Sequence, residues 1–176
     1  MATASRQEEL NNIYKCMDAF VSSYDLKLSP IKDTFLYLGN FNSVLCSTNV
    51  NEANVKIIIN VCEEDHSEAT KQGWEKQEIQ YYWLPIAEDI ETQDIIEVCI
   101  RVKSIIDKEQ PTDTRTILLH CQAAISRSVS TVIFYLMSYG KSYEDSLQQI
   151  RQTRPIAQPN EGFAKQLKRH FISNLS

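Results

Sequence analysis

A chain of 176 residues suits one domain with a sizeable core rather than two. Hydrophobic residues at 43% and charged residues at 23% are ordinary globular values. The net charge of −5 argues against a nucleic-acid surface, which normally shows a basic face, but not against an anionic substrate, because a local pocket can be positive inside an acidic protein.

Residues 5–24 form the first periodic segment. Leu10, Ile13, Tyr14, Met17, Phe20, Val21 and Tyr24 recur at three- and four-residue steps, the spacing of one apolar helix face. An N-terminal helical extension over 1–28 is expected, docked on the domain or offered as a dimer or partner surface. Ser29-Pro30 breaks it. Phe35–Leu38 reads as a short strand ended by Gly39, and 43–53 as a short helix or turn. Val55–Val61 is a mainly β-branched run, as in a strand buried on both faces. The polar stretch 63–77 reads as a connection, followed by a strand at Ile79–Leu84. Ile95, Cys99, Val102 and Ile106 mark a helix over about 92–109, ended near Pro111. Thr116–His120 is the next strand. Helices follow over about 127–139, 142–152 and 160–173, with Gly140 and the Pro155/Pro159 pair as breakers. This alternation predicts an α/β fold with a mostly parallel central sheet of about five strands flanked by helices, filling residues 29–176. In such sheets ligands bind beyond the carboxyl ends of the strands.

One stretch carries specific chemistry: His120-Cys121-Gln122-Ala123-Ala124-Ile125-Ser126-Arg127-Ser128. It sets a cysteine at a strand's end and an arginine six positions later around a tight loop that feeds a helix N-terminus. Such a loop suits a tetrahedral dianion. Its amides and the positive helix end point at the oxygens, and a guanidinium grips two of them in parallel. The same field favours a thiolate nucleophile, so the chemistry expected is that of a cysteine-dependent phosphatase. The bland alternatives are a buried, inert cysteine and an arginine in a structural ion pair.

His120-Cys121 followed by Ser126-Arg127-Ser128 resembles the signature loop of the dual-specificity protein tyrosine phosphatases, of the small VH1-like type. Leu36-Tyr37-Leu38-Gly39 and Ile59-Asn60-Val61 resemble the family's first core strands, and Tyr135-Leu136-Met137 its post-loop helix. Arg154-Pro155, Pro159-Asn160, Phe163 and Gln166-Leu167 resemble its C-terminal block. The resemblance spans roughly residues 30–172. It implies Cys121 as the nucleophile that forms a phosphocysteine, and a phosphate-binding loop of Gln122, Ala123, Ala124, Ile125, Ser126 and Arg127. Arg127 would clamp the phosphoryl oxygens. Ser128 would stabilise the departing thiolate, or act as a helix N-cap. His120 would hold the loop from behind. The leaving group needs a proton, which the resemblance assigns to Asp89, with Glu88 as competitor. Asp94 reads instead as a first-turn helix charge. Asn160 would fix the loop or cap a helix, and Arg154 would brace the C-terminal block or add an anion contact.

The family usually has glycine where this chain has Ala124. If the loop needs positive φ there, alanine costs on the order of 1 kcal/mol of strain; if not, its methyl merely narrows the surroundings. Five cysteines, with no C-x-x-C pair and no clustered histidines, argue against a disulfide scaffold or a zinc site. Cys16, Cys46 and Cys99 read as core or partly exposed thiols. Cys62, just after a central strand, could pair with Cys121 under oxidation. Free thiols, no signal peptide and no apolar run near the ~18 residues of a membrane span predict an intracellular, cytoplasmic and/or nuclear protein. No cofactor or metal is expected; the expected partner is a phosphorylated protein, with no nucleic acid and no membrane. The other functions weighed are a pseudophosphatase that binds phosphoproteins without turnover and an RNA 5′-phosphatase. Phosphoinositide hydrolysis ranks lower because the loop between Cys121 and Arg127 carries no basic residue. Sulfur transfer or arsenate reduction ranks last.

Overall fold

Apolar runs that cannot face water on either side form the centre of the molecule. The computed structural model describes residues 26–87, 93–109 and 116–173. In chain order the elements are β1 (Ser29–Pro30), β2 (Leu36–Asn40), α1 (Phe41–Leu45), α2 (Ser47–Glu52), β3 (Val55–Asn60), α3 (Glu68–Glu75), β4 (Gln80–Trp83) and α4 (Ile96–Lys108). Then come β5 (Thr116–Cys121), α5 (Arg127–Ser138), α6 (Tyr143–Arg151) and α7 (Glu161–Ser173). Five strands form one sheet in the order β1-β2-β5-β3-β4, antiparallel only between β1 and β2. This is the α/β architecture with a mostly parallel sheet that the alternation of strands and helices predicts.

Side-chain alternation along the strands supplies both faces. Ile57, Ile59, Ile117 and Leu119 join Cys99, Val102 and Ile106 of α4, Val129, Val132 and Ile133 of α5, and Phe163 and Leu167 of α7 in the larger core. Ile58 and Leu118 pack on the other face with Val44, Val50, Trp74 and Ile79. Between the layers, α5 is buried from Arg127 through Met137, as expected of a helix enclosed on all sides. Gly140, at φ 90°, ends it with bonds back to Met137 and, through Lys141, to Leu136.

Two expectations are corrected. The stretch 63–77 is not a bare connection: it contains α3, started by Ser67 Oγ accepting the Thr70 N–H at 3.3 Å. Trp74 is its only buried residue, so the segment never shows a helical apolar stripe. Ser29-Pro30 is not merely a breaker. It pairs antiparallel with Leu38 and Tyr37 as an edge strand, a place that tolerates proline. The expected helix over 5–24 and Cys16 lie outside the described residues. Among the described residues no helix is long and apolar enough to cross a membrane.

Candidate active site

Burial at the sheet centre brings the signature residues together. β5 lies between β2 and β3, pairing Cys121 with Asn40 and His120 with Asn60. The carboxyl end of β5 therefore opens at the middle of the sheet edge, with Cys121 as its last residue. Cys121 is buried, and its Sγ accepts a hydrogen bond from Ser128 Oγ at 3.3 Å.

The loop is shaped by what its carbonyls do. Gln122 O accepts from the Phe41 N–H at 3.2 Å, and Ile125 O from the Gln158 N–H at 2.8 Å. Arg154 Nη2 donates to Ala123 O at 2.8 Å, while its Nε donates to Ala124 O. Four successive carbonyls are thus engaged by groups outside the loop. A planar trans peptide points its N–H opposite its C=O, so the amides of residues 123–126 turn toward the loop's interior. Ala124, within this run of inward amides, sits at φ 51°, in the left-handed region. Asn160 adds a further tie, its N–H donating to Ser126 Oγ at 3.1 Å while its Oδ1 accepts the Phe163 N–H at 2.8 Å.

Arg127 opens α5, and its buried guanidinium donates through Nη1 to Ile86 O at 3.4 Å. It lines a cleft of about 290 Å³ together with Cys62, Glu63, Glu64 and Gln122. Asn60 folds the turn that forms the far wall. Its Oδ1 accepts the Cys62 N–H at 2.7 Å, and its Nδ2 donates to Glu64 O and to the Tyr81 hydroxyl, each at 2.9 Å. Burial pushes the Cys62 thiol up to about 12, the neighbouring Cys121 adds to this, and Arg127 pulls it back. Cys46, Cys62, Cys99 and Cys121 are all free thiols.

Behind the loop, His120 is fully enclosed. Its Nε2 lies 3.1 Å from His66 Nε2 and its Nδ1 3.9 Å from Cys62 Sγ. Burial lowers both imidazoles, His120 to about 3 and His66 to about 4, so the pair is neutral at pH 7.

Residues 36–172 match the family model of the dual specificity phosphatase catalytic domain. The chain belongs to the dual-specificity phosphatase family. It is 32% identical to dual specificity protein phosphatase 22 of Xenopus laevis over 136 residues, covering 77% of this chain and 61% of that protein. With human dual specificity protein phosphatase 15 the identity is 31%, over 76% of this chain and 42% of the other. The chain thus spans from about a third to three-fifths of the length of several curated relatives it matches. Among solved structures, the Yvh1 phosphatase domain from Chaetomium thermophilum superposes with a TM-score of 0.71 at 26% identity, covering 84% of this chain and 97% of that one.

Against this family frame, the signature residues Cys121, Arg127 and Ser128 converge as the motif predicts. Ser126, not Ser128, holds the N-cap position of α5, and the Ser128 hydroxyl donates to the sulfur instead. Asn160 combines the two readings, cap and loop tie. Asp94 sits just ahead of α4 rather than inside its first turn, and its Oδ1 accepts the Ile96 N–H at 2.9 Å. Asp89 and Glu88 lie outside the described residues. Arg154 braces the loop: it is buried, and its Nε and Nη2 donate to the carbonyls of Ala124 and Ala123. Sequence reasoning missed His66 and Asn60 as site-building residues. A polar asparagine inside the apolar run Ile57–Val61 was the available signal for Asn60; His66, in a polar loop, offered none.

Proposed function

We propose that this chain is a cysteine-dependent protein phosphatase that hydrolyses phosphotyrosine, and phosphoserine and phosphothreonine, through a phosphocysteine intermediate. The observation that carries the reading is the convergence of Cys121 Sγ, the Ser128 hydroxyl and the inward-facing amides of residues 123–126 at the N-terminus of α5, beside a cleft lined by Arg127. The Cys121 thiolate attacks phosphorus; the S–P bond forms as the bond to the leaving oxygen breaks. Asp89 gives that oxygen its proton and then takes one from the water that attacks the intermediate. The loop amides and Arg127 hold the equatorial oxygens throughout. As the S–P bond breaks, the Ser128 hydroxyl stabilises the returning thiolate and phosphate leaves. Every role falls to a protein group, so neither metal nor cofactor enters the scheme.

The catalytic unit in this reading is residues 29–176. The segment before it serves as a helical extension or partner surface, in a cytoplasmic or nuclear protein acting on phosphorylated proteins. Steady release of phosphate from para-nitrophenyl phosphate and from phosphotyrosine peptides, abolished in Cys121→Ser, is the expected result. Tight phosphopeptide binding without turnover at any pH would make the chain a binding module. Turnover of RNA 5′-triphosphate ends in preference to phosphopeptides would redirect the substrate to nucleic acid.

A further inference from the structure

The cleft that holds Arg127 is unevenly charged. Among the described residues that line it, one cation, Arg127, faces the carboxylates of Glu63 and Glu64, with Cys62 and Gln122 completing the lining. Both glutamates are exposed. The segment that bears them is fixed through its backbone: Asn60 Oδ1 accepts the Cys62 N–H at 2.7 Å, Asn60 Nδ2 donates to Glu64 O at 2.9 Å, and Trp83 Nε1 donates to Cys62 O at 3.0 Å. Trp83 ends β4, and its indole is 44% exposed although its N–H is tied into this turn. An acidic wall on a fixed turn thus has an anchored, half-exposed aromatic ring beside it. The chemical step uses none of these groups.

Arg127 and the loop amides provide for one phosphoryl group. Its neighbours on the substrate meet the wall instead. An extended chain advances about 3.3–3.6 Å per residue, so a group one or two residues away stands within the Debye length of about 8 Å at physiological salt. A second phosphate there would face the carboxylates of Glu63 and Glu64, and like charges set against each other cost affinity. An arginine or lysine would face the same carboxylates favourably, and a guanidinium can also lie on an indole face. We propose that Glu63, Glu64 and Trp83 form a specificity wall for a basic side chain: the chain selects phosphoresidues flanked by arginine or lysine and discriminates against a second phosphate close by. This rests on the phosphatase reading, which sets the phosphoryl group beside Arg127.

The test uses the full chain with Cys121→Ser, which binds without turnover, and fluorescent peptides of one sequence around a central phosphotyrosine. The flanking residues are arginine, glutamine or glutamate, or include a phosphothreonine two positions away. The arginine-flanked peptide should bind about tenfold more tightly than the doubly phosphorylated one, with the other two between. Raising salt from about 0.05 M to about 0.5 M should narrow the spread. Adding Glu63→Gln and Glu64→Gln together should reduce it to within about threefold, and Glu64→Lys should favour the doubly phosphorylated peptide. Trp83→Leu should weaken the arginine-flanked peptide about threefold; no loss there overturns the part assigned to the indole. Equal affinity for all the peptides, or tightest binding of the doubly phosphorylated one, overturns the proposal. So does an arginine preference that the double variant retains, since that would belong to the field of the acidic chain as a whole. In the unaltered chain kcat/KM for the same peptides should follow the same order. No hydrolysis of any peptide, with the binding order intact, would fail the phosphatase reading and not the wall.

Discussion

Ala124 holds a left-handed φ of 51° with its side chain fully buried. The first fact means strain; the second means that the methyl group points into protein rather than into the cleft lined by Gln122 and Arg127. Strain of this kind, about 1–2 kcal/mol, is carried by the fold and not by the chemical step. Ala124→Gly relieves it but raises the entropy of the unfolded chain, so stability should change by less than about 1 kcal/mol and turnover by less than about threefold. Ala124→Val, β-branched in the same conformation and tightly enclosed, should lose about 2 kcal/mol or more in denaturant titration. At Ser128 the expectation concerns the second chemical step. Its hydroxyl stands 3.3 Å from the sulfur, and a hydrogen bond to a charged group contributes about 1.5–3 kcal/mol. Ser128→Ala should therefore accumulate phosphocysteine and lower kcat about 10- to 100-fold, seen as a burst of leaving group followed by slow turnover. Cys62 does not compete as a nucleophile: pushed up to about 12, it stays a thiol at neutral pH.

At the level of elements, the segment between α6 and α7 acts as a clamp on the loop between β5 and α5. Arg154 bridges the carbonyls of Ala123 and Ala124 and reaches Ser29 Oγ in β1 at 3.4 Å, while Gln158 and Asn160 hold Ile125 and Ser126. A guanidinium presents a rigid planar fork, whereas an ammonium offers a single point, so Arg154→Lys is not conservative here. Leaving one carbonyl unsatisfied should cost about 1–3 kcal/mol, and the freed loop should bind inorganic phosphate several-fold more weakly. Product-inhibition constants together with thermal midpoints would check this; an unchanged phosphate constant would refute the clamp. β2 makes a comparable demand at Gly39, where a Cβ would lie 2.7 Å from Ser43 Oγ and 2.9 Å from Leu28 Cδ2. The glycine lets α1 turn tightly off β2, so that the Phe41 amide reaches Gln122 O.

Across the whole molecule, the neutral His66–His120 pair links stability to pH. Both imidazoles are lowered by burial, to about 4 and about 3, while in the unfolded chain they titrate near 6.5. Between those values the unfolded state binds more protons, so stability rises with pH there. The contribution is fully present above about pH 6.5 and is lost as pH falls toward the folded values, on the order of a few kcal/mol for the contacting pair together. Asp65 acts in the same direction: burial raises it, but the Lys71 and Tyr81 hydrogen bonds prevail and hold it below its ordinary value. Thermal midpoints should fall steadily from pH 7 to pH 4.5. His66→Gln, which removes one of the two titrations, should flatten that slope.

The sequence by itself determined the sheet, its strand-helix alternation and the positions of Cys121, Arg127 and Ser128. Those follow from local periodicity and from a motif whose spacing is a property of contiguous residues. Where signals were local but weak, reading was partial: α3 has one buried anchor and β1 only two residues, so neither shows a period. Only the tertiary structure decided the sign of φ at Ala124, the Arg154 clamp and the His66–His120 contact. Each depends on partners distant in sequence, 30 and 31 residues from Arg154 to the loop carbonyls and 54 between the two histidines. A side chain's neighbours across such separations are set by how the layers pack. The packing named the loop carbonyls that Arg154 braces, and set His66 from a polar loop against His120 behind the nucleophile.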